Sequence, residues 1–190
     1  MNLDQVINQL RAYCPALGGR IAGAADFDVG TETTLAFTSP TGKLIYPAAV
    51  VVPLDDDASP NIVSTIETGL IQTVTETIGV IVEFDATADR RGQGGVSQVE
   101  AMKYALFAAL LNWHIDPGRS SLGIYYAGGS LLAFDRARLF WEFRFSFDAL
   151  ISDGDGFQID GDPLADVLAT VSVDDPVNEA PPIVFDMKVE

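Results

Sequence analysis

The sequence has a single cysteine, Cys14, and a single histidine, His114, in 190 residues. One thiol excludes an intrachain disulfide and a cysteine-cluster metal site, so Cys14 reads as a small apolar filler near the end of the first helix. Cations are scarce too: 11 Lys and Arg stand against 27 Asp and Glu, a formal net charge of −16. Nucleic-acid binders draw affinity from cationic contacts to phosphate, so this balance argues against a DNA- or RNA-binding role, although proximity to DNA without adhesion is compatible with it. Long hydrophobic runs are missing as well. ALFAALL at 105–111 and PAAVVVPL at 47–54 fall short of the roughly 20 residues a membrane span requires, so no membrane association is expected. The N-terminal MNLDQVINQL lacks a basic segment followed by an apolar run, which reads as no signal peptide and as synthesis in the cytoplasm.

What is present is a core-forming composition. Hydrophobic residues make up 48% of the chain and charged ones 20%, enough apolar surface to offset chain entropy, and the length suits one core. Asn2 can cap a helix in which Leu3, Val6, Ile7 and Leu10 share a face, with Gln5 completing a capping box; Pro15 and Gly18-Gly19 end it. A short strand is expected near Arg20–Ala24, then an exposed loop or hairpin to Gly42. Tyr46 to Leu54 reads as a strand covered on both faces and central in its sheet, followed by a polar turn, DDDASPN, at 55–61. From Ile71 to Phe84, Val74, Ile78, Val80, Val82 and Phe84 share one parity, the pattern of a long strand.

SQVE at 97–100 is a capping box for the main helix, expected to run to about Trp113. Its half YALFAALLNW is apolar nearly all round, so a sheet beneath it leaves a side needing a second cover, for which a partner subunit is one candidate. LGIYYA and SLLAF flank Gly128-Gly129, a two-residue hairpin signal. From Ile151 onward Asp, Gly and Pro dominate, suggesting an acidic extension or arm with short strands at LATVSV and PIVF. The expected architecture is α/β of the α+β kind: a mainly antiparallel or mixed sheet with two principal helices packed on it, in residues 1–150, plus an acidic C-terminal extension at 151–190.

Catalytic and metal-binding patterns do not assemble. His114 lies in LNWHID with Asp116 nearby, but no nucleophile motif accompanies it, and a residue at a helix C-terminus is the simpler reading. RRGQGGVS at 90–97 lacks the GK[ST] ending of a phosphate loop, and Ser97 stands where the last glycine of GxGxxG would fall. In SDGDGFQIDGD at 152–162, counting from Asp153, the sixth position is Gln158 instead of Gly and the twelfth Leu164 instead of Glu, so the EF-hand pattern fails. A hydrolase or a calcium-binding protein is the remote alternative; no catalytic residue, cofactor or metal site is expected.

RARLFWEFRFSF at 136–147 is the feature that composition leaves unexplained. Ala137, Leu139, Trp141, Phe143, Phe145 and Phe147 share one parity, while Arg136, Arg138, Phe140, Glu142, Arg144 and Ser146 share the other. One face belongs to the core and the other is charged. The arginines either pair with acids of adjacent strands, Glu142 among them, or meet carboxylates of a second copy, since arginine suits interfaces. Arg90, Arg91, Arg136, Arg138 and Arg144 are therefore candidate subunit-contact residues.

Taken in order, AYCPALGGRIAGAADF, YPAAVVVPLDDD, MKYALFAALLNW and LGIYYAGGSLLAFDRARLFWEFRFSF resemble the tail terminator, or tail completion, proteins of tailed bacteriophages, over roughly residues 10–150. The resemblance implies a structural, non-enzymatic virion protein, similar in role to the lambda tail terminator. It would form a homo-oligomeric, hexameric ring at the head-proximal end of the tail. Its implied partners are the tail tube protein and the head-tail connector or stopper protein, with DNA passing through without specific binding. A head-tail adaptor or stopper role in the neck is the nearest alternative. The long acidic segment after residue 150 departs from the compact family form.

Overall fold

The computed structural model describes residues 2–24, 37, 39, 44–62, 69–87, 93–120, 122–134, 137–156, 166–171 and 183–188. They fall in two compact units, Met1–Asp155 and Gly156–Glu190. The first unit is an α+β fold in which two helices, α1 (Leu3–Tyr13) and α2 (Gln93–Leu110), accompany a five-stranded mixed sheet. The strands are β1 (Ile21–Gly23), β2 (Ala48–Ala58), β3 (Ile71–Asp85), β4 (Tyr125–Phe134) and β5 (Arg138–Ser152), in the spatial order β1-β2-β3-β5-β4. Only β1 and β2 run parallel; the remaining pairs are antiparallel. The second unit contains β6 (Asp166–Val171) paired antiparallel with β7 (Ile183–Lys188), close to the two short strands expected there.

Helix α1 starts where its cap predicts, the Asn2 side chain accepting from the Asp4 N–H at 3.1 Å. Val6, Ile7 and Leu10 are buried as one stripe. Gly18 in a left-handed conformation (φ 53°) turns the chain after the 3-10 turn Pro15–Leu17, and the Arg20 guanidinium donates to the Pro47 carbonyl at 2.8 Å, tying this turn to the start of β2. Cys14 is fully buried, and burial pushes its thiol pKa up, which fits an apolar filler.

Strands β3 and β5 pair without interruption from Ile71↔Ser152 to Asp85↔Arg138. Their inner parities meet in register, Ile78 with Phe145, Val80 with Phe143, Val82 with Trp141 and Phe84 with Leu139. Leu106 and Leu110 of α2 and Val6 and Leu10 of α1 belong to the same buried cluster. Phe107 packs edge-on against Tyr126 and Phe145, with ring centroids 4.9 and 6.3 Å away.

Several boundaries differ from expectation. Helix α2 begins at Gln93 and ends at Leu110, so part of the glycine-rich RRGQGG segment is already its first turn. Strand β2 continues through Asp55–Asp57 to Ala58, where a polar turn was expected, because a register shift between Pro53 and Asp56 lets it go on pairing with β3. The central position belongs to β3, with β2 beside it. Gly128-Gly129 is not a hairpin turn: β4 is one strand, and a register shift between Tyr126 and Gly128, with φ 134° at Gly128, absorbs the extra residue as a bulge. A sequence of alternating apolar residues around two glycines is the same for a bulge and a turn; the unbroken partner β5 decides between them.

The link from α2 to β4 is fixed by Asn112, whose N–H donates to Ile124 O, while the Ile124 N–H returns to Trp113 O. Gly123 lies against this crossing, where an added Cβ would sit 2.5 Å from the Asn112 backbone. Gly123→Ala should therefore lower stability by about 2 kcal/mol or more, whereas Phe143→Ala, at a fully buried position, should cost about 3–5 kcal/mol. Urea titrations of both variants against the parent chain measure these losses.

Candidate functional site

The five candidate arginines are placed unequally. Arg90, Arg91 and Arg136 lie outside the described residues. Arg138 opens β5 and Arg144 sits at its middle, both on the outer sheet face, opposite the helices. That face is not uniformly solvated. Ala48 and Val50 of β2 form a second buried apolar cluster there, with Ala22, Phe37 and Val52 packed against it, and Ile81 is also buried.

Glu83, whose side chain is only 1% exposed, lies in this layer. In register it stands between Ala48 on one side and Phe140 on the other. Arg138, diagonal to it, brings Nη1 to 3.7 Å from Glu83 Oε1 and places its guanidinium 5.6 Å from the centre of the Phe140 ring. A buried carboxylate needs such a cation, because desolvation of an uncompensated charge is expensive. Arg138 is thus committed within its own chain.

Arg144 differs: its Nε is 3.4 Å from Glu142 Oε2, and its side chain is 41% exposed. The two residues facing it in register, Gly79 and Gly128, are glycines, so no side chain of either adjacent strand screens it at that level. The Arg144 Nε itself is buried without a hydrogen bond. Further along the face, Thr75 donates to Asp148 at 2.7 Å and Thr77 meets Ser146 at 2.8 Å. Burial, and then the Asp148 carboxylate, raises the Tyr125 hydroxyl pKa, while a hydrogen bond with Thr75 opposes them.

No convergent reaction site forms around the other candidates. His114 follows the end of α2, and the neighbouring Asp116 carboxylate accepts from the Gly118 N–H at 3.0 Å, a local turn. In the acidic segment after β5, Asp153 accepts from the Leu70 N–H and Asp155 pairs with Arg119, so each carboxylate serves a different connection. Among the described residues no group of three or more His, Cys, Asp or Glu side chains is arranged to hold a metal ion. No helix there is long and apolar enough to cross a membrane.

The sequence pattern missed one feature, an apolar groove of about 280 Å³ between the first turns of α2 and the β4 edge, bounded by Val96, Val99, Leu131, Phe134, Leu139 and Trp141. Three of these, Val96, Leu131 and Phe134, are more than half exposed.

The described residues thus form a long sheet with helices on one face and an apolar groove at its edge. A family model for phage tail terminator proteins matches residues 1–154. The chain belongs to the phage tail terminator family. This is a family of structural proteins, and membership gives the chain a structural role in the phage tail. The match spans the first compact unit almost to its end and leaves the acidic segment beyond it. No curated protein matches the sequence.

The two described arginines should separate on substitution. Arg138→Met removes the cation beside a buried carboxylate and should destabilise the fold by about 3 kcal/mol. Arg144→Met, at a side chain 41% exposed and paired among the described residues only with Glu142, should cost under about 1 kcal/mol. Thermal denaturation of both variants decides, and equal losses would contradict the assignment of Arg138 to the interior.

Proposed function

We propose that this protein forms a homo-oligomeric, hexameric ring at the head-proximal end of the tail, where it ends polymerisation of the tail tube and offers the docking surface for the head connector. The match to the tail terminator family over residues 1–154 carries this reading. Its partners are the tail tube protein below and the connector or stopper protein above, within the virion after assembly in the host cytoplasm. It acts without cofactor or catalysis.

Of the candidates Arg90, Arg91, Arg136, Arg138 and Arg144, those not engaged within their own chain meet carboxylates of the next subunit. Of the described pair, Arg144 contributes directly, because Arg138 is held by Glu83. The net charge of −16 suits a channel for DNA, since carboxylates lining it repel phosphates over about 8 Å at physiological salt. A ring whose lumen proved lined by lysine and arginine would refute that use of the charge.

Particles assembled without this protein should carry tails of abnormal, variable length. Tails of normal length lying unattached beside filled heads would instead mark it as an adaptor or stopper, and electron microscopy of a deletion lysate distinguishes the two. Arg144→Glu should reduce ring formation several-fold with little change in melting temperature; undiminished assembly in native mass spectrometry would remove Arg144 from the contact.

A further inference from the structure

The first unit carries two unlike surfaces at opposite ends of its sheet. At the start of β3, Ile62 is 68% exposed, its N–H donating to Ile71 O at 2.9 Å, and Ile71 and Leu150 are exposed beside it. This tip is acidic. Asp55, Asp56 and Asp57 are exposed along the end of β2, Glu76 and Asp148 stand on β3 and β5 some residues in from Ile71 and Ser152, and Asp153 follows the end of β5. The nearby Arg119 is paired with Asp155.

At the other end, where β3 finishes and β5 begins, lies the apolar groove under Val96 and Phe134. The groove lining carries no charge, and the first turn of α2 has no acidic residue. Gly95 and Val96 of that first turn bring the positive end of the dipole of an 18-residue helix to the groove. In the sequence, Arg90 and Arg91 precede this helix, and Arg136 separates Phe134 from Arg138.

The two surfaces are separated along β3 by about 43 Å, from Ile71 to Phe84 at ~3.3 Å per residue. They sit on one continuous sheet and so cannot meet within one copy. Two tips facing each other would oppose Asp55, Asp56 and Asp57 of one copy to the same residues of the other. A tip facing the groove places an acidic, apolar knob against an uncharged apolar cleft at a helix N-terminus.

We infer that the tip of one copy, with Ile62 as its knob, seats in the Val96–Phe134 groove of the next copy. The contact is head-to-tail, so each subunit uses two different patches and the chain of contacts continues until it closes. The inference rests on the ring reading and gives the partner of each face: a second copy of this chain. A groove of about 280 Å³ has room for one or two aliphatic side chains. The aspartates at the end of β2 favour this polarity, because the groove lining itself carries no charge.

The test uses the full chain with cysteine introduced at the two exposed positions, the native Cys14 being buried. The double variant Ile62→Cys/Val96→Cys, mildly oxidised on tail tubes and in concentrated solution, should give a ladder of disulfide-linked species in a denaturing gel. Equimolar Ile62→Cys and Val96→Cys chains should give linked heterodimers and nothing larger, while neither alone should cross-link. Homodimers from either single variant would show a two-fold contact and overturn the proposal. Rings of the parent protein with no cross-linked ladder would overturn it too, while sparing the ring reading. No self-association of the parent chain, on tubes or free, would overturn both.

Discussion

The continuous pairing of β3 with β5 is the constraint on which the rest depends. Its register, from Ile71↔Ser152 to Asp85↔Arg138, puts Ile78, Val80, Val82 and Phe84 beside Phe145, Phe143, Trp141 and Leu139. This makes one apolar floor for both helices. A slip of one residue would turn those side chains outward and bring Glu83 and Glu142 inward, so hydrophobic burial enforces the register. The same register sets Glu83 within reach of Arg138 and brings Gly79 alongside Arg144, whose other side meets Gly128 of β4.

From that ladder follows a division of labour between the two sheet faces. The inner face is a continuous core with α1 and α2. The outer face is mixed: apolar and closed near β2, where Phe37 packs on Ala48 and Val50, and polar near β4 and β5. Arg138 belongs to the closed part and Arg144 to the open part. Two arginines of identical parity, six residues apart in one strand, thus have different physical roles, one neutralising a buried carboxylate and the other meeting solvent. A structural protein of the phage tail needs its surfaces rigidly presented. Long strands supply the rigidity, because each residue of β3 between Ala48's partner Glu83 and Ala58's partner Val74 lies between two neighbouring strands.

Much of this was legible in the residues. The Asn2 cap with its stripe of Val6, Ile7 and Leu10, the alternation of 71–84 and the aromatic parity of 137–147 are local patterns, and local geometry alone specifies them. The apolar half of α2 at 104–113 suggested a side needing cover, whereas the groove at the β4 edge lies at the first turns of the helix, by Val96 and Val99. Gly128-Gly129 misled because a bulge and a tight turn share the same glycine chemistry. Asp55–Asp57 misled because three aspartates disfavour a strand by propensity, and only pairing with β3 holds them in one.

The sequence by itself determined the two helices, the long strands with the apolar face of each, and the family resemblance. These depend on neighbours within a few residues or on composition. Tertiary structure alone decided that Glu83 and Arg138, 55 positions apart in the chain, share one partly closed layer, that Arg144 remains open, and that an acidic tip and an apolar groove occupy opposite ends of one sheet. Those are consequences of strand order and register, which no single segment encodes: they arise when distant segments pair and water is excluded from one side of the ladder they form.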